Sequence, residues 1–101
     1  MKNVKITVLR RTVYSDLMEK YENPMQDACD VEIGEVYISI GGEKPQGFCN
    51  NAWLSVGPFA RELANGGGYF FGDWMKDPHS AMVSCNDGFR PVTFLVEAIE
   101  D

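Results

Sequence analysis

The sequence predicts a single α+β domain spanning residues 1–101, with a small antiparallel or mixed sheet of about four strands in the element order β-α-β-α-β-β and two helices packed on it. Three observations carry this. Val4, Ile6 and Val8 alternate with Lys5 and Thr7, the period of a half-buried strand. Trp53, Val56, Ala60 and Leu63 recur at helical spacing. Asp87-Gly88 separates two strand-like runs, the strongest short-range hairpin signal.

The elements follow in order. The alternating run places a strand over 2–13. Ser15 and Asp16 offer N-caps, and Asp16 with Glu19 has the spacing of a capping box, so a short helix is expected over 16–22. Asn23-Pro24 stops it, and 24–30 reads as loop. A second strand covers 32–40, where Val36, Ile38 and Ile40 share a face. The polar, Gly- and Pro-bearing run at 41–47 is a loop. The main helix starts near Asn50 and stops at Asn65-Gly66. Pro58 cannot donate to the carbonyl of Leu54, so a kink or two short helices are expected at Gly57-Pro58. Residues 66–79 combine glycine with aromatics and read as an irregular loop held down by Tyr69, Phe70, Phe71 and Trp74. Strands over 80–86 and 90–99 close the chain, with Pro91 at a strand start or on an edge.

Composition bounds the function. An apolar content of 45% and a charged content of 24% belong to a globular protein. No apolar run approaches the ~20 residues of a membrane span. The first segment is interrupted by Lys5 and Thr7 and followed by Arg10-Arg11, unlike a secretory leader, so a cytoplasmic protein without membrane attachment is expected. A net charge of −6 argues against nucleic acid as partner, because that binding needs clustered Lys and Arg. Lys2, Lys5, Arg10 and Arg11 fall in residues 1–11, which hold no acid. Such a basic strand is expected to pair beside an acidic one, such as the tail with Glu97 and Glu100.

The candidate chemistry lies in two separated segments. Cys49 precedes Asn50-Asn51 at the start of the main helix, where free amides and the dipole favour a thiolate. Against that stands the habit of free cysteines to act as small buried hydrophobes. Cys85 falls two residues before the Asp87-Gly88 turn. Asp87 and Arg90 could hold that turn by a side-chain bond and an ion pair, or Arg90 could offer a fork to a carboxylate or phosphate. Trp53 and Trp74 suit core or lid positions, with an apolar pocket between them as the functional alternative. His79, the only histidine, reads as a surface loop residue with no triad spacing around it. Gly66–Gly68 lack the Lys-Ser/Thr of a phosphate loop. Cys29, Cys49 and Cys85 form no Cys-x-x-Cys pair and are expected as free thiols, although with His79 they would make a Cys3His set.

The segments VKITVLRRT (4–12), GFCNNAW (47–53) and CNDGFRPVTF (85–94) resemble a family of small uncharacterised prokaryotic proteins. Its pattern is an opening strand ending in a basic pair, Gly-Phe-Cys-x-x-Ala-Trp at a helix start, and Cys-x-Asp-Gly-x-Arg-Pro-Val in a closing hairpin. A cysteine near the position of Cys29 belongs to the same pattern, but here Asp30 stands where the pattern has proline. The resemblance implies no reaction. It groups Cys49, Trp53, Cys85, Asp87 and Arg90 as one shared site.

These readings converge on a binding or interaction module. It is expected to self-associate through a sheet edge or the aromatic loop, to take a small-molecule ligand at Trp53, Trp74, Asp87 and Arg90, and to need no cofactor or metal. The alternatives are a thiol enzyme using Cys49 with Cys85, and a cysteine-ligated metal protein. Both chemical readings require the start of the main helix to meet the tip of the closing ribbon.

Overall fold

Alternating β-branched residues build the first strand of the computed structural model, which describes residues 1–23 and 31–99. Cys29, the loop expected at 24–30 and Glu100 lie outside the described residues. In β1 (Asn3–Arg11), Val4, Ile6 and Val8 point to one side and are fully buried. The strand pairs antiparallel with β2 (Val36–Ser39) on one flank and with β4 (Val92–Ile99) on the other. β3 (Ser80–Ser84) pairs antiparallel with β4, so the sheet is wholly antiparallel in the order β2-β1-β4-β3. The expected basic-beside-acidic pairing is present, with Lys5 directly opposite Glu97.

α2 (Asn50–Ala64) covers the face that carries the buried alternation and packs on β1, β3 and β4. Val56, Ala60 and Leu63 are fully buried against Ile6, Val8, Ala81, Val96 and Phe94. Each fully buried Val, Ile or Leu contributes about 1.5–3 kcal/mol of transfer free energy, so this one helix–sheet interface holds the fold. The helix is not split in two at Gly57-Pro58, and one helix runs through both residues. Leu54, whose carbonyl loses the proline's donor, is on the exposed side, where water can satisfy it.

α1 (Ser15–Tyr21) has no buried residue. Its N-cap is Tyr14, without a side-chain cap bond, so the expected capping box of Asp16 and Glu19 is not what starts it. Contacts at its two ends anchor it instead. The Tyr14 amide donates to the carbonyl of Phe89, and the ion pair at its other end is described below.

The strands are shorter than the sequence suggests, β2 most of all. β2 begins at Val36 because Gly34 adopts a left-handed φ of 94° and its amide turns to the carbonyl of Val8. Tyr37 and Ser39 are then the inward residues of β2, while Val36 and Ile38 face away from α2. The closing hairpin is wider than a two-residue turn. Gly88 is not left-handed, as a type I′ turn would need, and the connection spans 85–91, closed by the Cys85 amide donating to Val92.

Candidate functional site

The start of α2 does meet the tip of the β3–β4 ribbon. Ser55 Oγ donates to Asn86 Oδ1 at 2.6 Å, and Asn86 Nδ2 donates to the Asn51 carbonyl at 3.4 Å. One side chain in the turn therefore stitches it to the first two turns of the helix. Nothing in the sequence marked Asn86, because an asparagine beside Asp-Gly reads as ordinary turn composition.

Around this junction the two thiols differ. Cys49 is the N-cap residue of α2, with extended backbone and an exposed side chain that caps no amide. Cys85 is half-buried against the core, and its Sγ accepts the Val92 amide at 3.3 Å. Both are free thiols. Cys85 thus has the packing of a structural cysteine, whereas Cys49 is open to reagents.

Asp87 and Arg90 are engaged within the protein. Asp87 Oδ1 accepts the amides of Phe89 and Arg90, at 2.8 and 3.2 Å, which shapes the turn. Arg90 presents its fork to Glu22, the C-cap residue of α1, with Nη1 to Oε2 at 2.9 Å and Nη2 to Oε1 at 2.5 Å. Asp87 Oδ2 lies 3.7 Å from Nη1. The Glu22 carboxylate, by hydrogen bonding first of all, holds the Arg90 guanidinium above the usual arginine range. Both side chains of the Arg90–Glu22 pair are largely covered, at 13% and 12% exposure. The geometry is that of a clamp joining α1 to the hairpin.

The tryptophans belong to separate ring clusters. Trp53 packs edge-on to Phe48, which also meets Tyr37 and Phe94. Trp74 meets Phe59 of α2 at a tilt and Phe71 edge-on. Among the described residues no ring pair joins the two clusters.

Residues 66–79 are where the structure departs most from expectation. Phe70 alone of the four aromatics packs on the core, edge-on to Phe59 at 4.9 Å. Tyr69, Phe71 and Trp74 are 66%, 79% and 42% exposed. Tyr69 and Phe71 have left-handed φ angles of 55° and 51°, a conformation costing an L-residue of this size roughly 1–2 kcal/mol. The loop is closed at its neck. The Tyr69 amide donates to Pro78, His79 Nδ1 lies 3.2 Å from the Gly67 carbonyl, and the His79 ring stands edge-on to Tyr69. His79 is therefore a half-buried brace, not an open surface residue. A Cβ on Gly68 would fall 2.5 Å from the Pro78 oxygen, so only glycine fits this crossing.

Among the described residues no three His, Cys, Asp or Glu side chains are grouped to hold a metal ion. No described helix is long and apolar enough to cross a membrane. Protein-family models, curated proteins and solved structures each offer no match to this chain.

Proposed function

We propose that this domain is a cytoplasmic binding module whose recognition element is the loop at 66–79, presenting Tyr69, Phe71 and Trp74 to an apolar or aromatic group of its ligand or partner. One observation carries the reading: Tyr69 and Phe71 stand largely in solvent, with Trp74 partly exposed beside Phe71, on a loop whose neck is braced, and the first two are held in left-handed backbone. A chain gains nothing in stability from exposing Phe71, and strained backbone of this kind concentrates at binding sites. Aromatic side chains of this type carry most of the energy in recognition surfaces. The free thiols of Cys49 and Cys85 suit a reducing compartment, and the net charge of −6 disfavours nucleic acid as the ligand.

Titration of the labelled protein with p-cresol and indole, followed by amide NMR, tests this. Shifts are expected at residues 69–74 and at Phe59, and to vanish in Trp74→Ala. Shifts scattered over the surface, or unchanged by that substitution, sink the reading.

A thiol enzyme is the second reading, favoured by the exposed position of Cys49 beside the junction with the hairpin. Iodoacetamide is expected to label Cys49 rapidly and the half-buried Cys85 only on unfolding. Equal labelling of the two, or protection of Cys49, removes the basis for a Cys49 nucleophile.

A further inference from the structure

The face of the sheet opposite α2 carries two continuous rows, each crossing all four strands. One row runs Val36, Thr7, Leu95, Met82, and the next runs Ile38, Lys5, Glu97, Ser80. Val36, Ile38 and Met82 are exposed, and α2, the described helix that packs on the sheet, lies on the other face. The apolar side chains of β2 therefore point where an ordinary half-solvated sheet would place polar ones.

The arrangement of these rows is self-complementary. The middle of the sheet falls between β1 and β4, and Lys5 and Glu97 flank that midline as direct partners. A two-fold axis parallel to the strands and along the midline lays the face of a second copy on the first and maps each row onto itself, reversed. Lys5 then meets Glu97 of the second copy, and Glu97 meets its Lys5. In the adjoining row, Val36 meets Met82 and Thr7 meets Leu95. Aligned sheets pack about 10 Å apart at roughly 30°, and residues next to the axis are displaced least by that rotation. A parallel shift that brought β1 onto β1 would set Lys5 against Lys5, so charge selects the first arrangement.

We propose that this sheet face, which α2 leaves uncovered, is an interface between two copies of the chain, packed face to face about the β1–β4 midline. The inner ion pairs set the register, while Val36, Leu95 and Met82 supply apolar contact. Strands of nine, four, eight and five residues, about 4.8 Å apart, give a face of roughly 400 Å² in projection, so the association is expected to be reversible and concentration-dependent. It goes beyond the loop reading and stands apart from it, since Tyr69, Phe71 and Trp74 lie outside the four strands.

Sedimentation velocity over a range of concentrations tests the proposal, with circular dichroism to show that each variant is folded. Wild type is expected to dimerise. Lys5→Glu and Glu97→Lys each place like charges opposite one another and are expected to weaken the dimer about tenfold or more. An equimolar mixture of these two variants restores opposite charges across the interface but not within either chain, and is expected to form heterodimers. The double variant is expected to recover the homodimer. Should either single variant fail to fold, Met82→Lys at the sheet edge supplies a second disruption. Trp74→Ala is expected to leave the dimer intact. A wild-type protein that stays monomeric at millimolar concentration, single variants that dimerise normally, or a mixture that does not associate would each overturn the proposal.

Discussion

The guanidinium of Arg90 lies in the carboxylate fork of Glu22, so the end of α1 is tied to a turn 68 residues further along the chain. This pair, with the Tyr14 amide on Phe89, holds a helix that buries no side chain of its own. α1 is too short to be stable unaided.

Glu22→Gln and Arg90→Lys are therefore expected to loosen α1 selectively. Amides of 15–21 should exchange faster while those of β1 and β4 keep their protection. Lysine does not rescue, because it cannot supply the planar two-point contact. Equal loss of protection across the sheet would show that the clamp serves the whole fold and not this helix. The pH sign follows from the raised arginine: its contribution is complete below the ordinary arginine range and fades only as pH rises through the folded value, well above neutrality.

Glu35 predicts behaviour in acid. Its carboxylate accepts the Tyr37 hydroxyl at 2.7 Å and the Glu32 amide at 3.0 Å, which together hold it below the usual glutamate range, the hydroxyl foremost. A lowered folded value contributes stability that is complete above the unfolded value of about 4.3 and is lost as pH falls through the folded one. Tyr37→Phe is expected to move the Glu35 titration toward the ordinary range by NMR and to shrink that acid-side loss. An unchanged titration would mean that the hydroxyl does not set it.

Gly68 tests the neck of the aromatic loop. A methyl group at this position would press on the Pro78 carbonyl at 2.5 Å and His79 Nδ1 at 2.8 Å. Gly68→Ala is expected to destabilise by about 1–3 kcal/mol, by analogy with other overpacked sites, and to broaden the signals of 69–74. Full stability in denaturant titration would show that the loop is not closed there.

Much of the fold was legible because its signals are local. Val4, Ile6 and Val8 give strand period and burial together, and Val56, Ala60 and Leu63 do the same for α2. What was not legible depends on backbone conformation or tertiary contact. Gly34 looked like one more residue in an alternating run, yet its left-handed φ ends β2. Asp87-Gly88 promised a tight turn, but Asp87 spends its carboxylate on the amides of Phe89 and Arg90, which fits a wider one. For the candidate site, the meeting of the α2 start with the hairpin was the stated requirement and is present through Asn86. The engagement of Arg90 by Glu22 was invisible, since nothing relates residues so far apart in sequence. Aromatics in a glycine-rich stretch suggested inward packing, because hydrophobicity reports what prefers burial and not which side chains the loop geometry lets in.

The loop bears the functional account, and Phe71 tests it most directly. Phe71→Gly removes an exposed ring and relieves a left-handed backbone that glycine adopts freely. Measuring its unfolding free energy beside its p-cresol affinity should show the two moving apart: stability equal to wild type or up to about 1 kcal/mol higher, with binding lost. A variant that binds as wild type does, or that loses stability together with binding, would contradict the assignment of this loop to recognition.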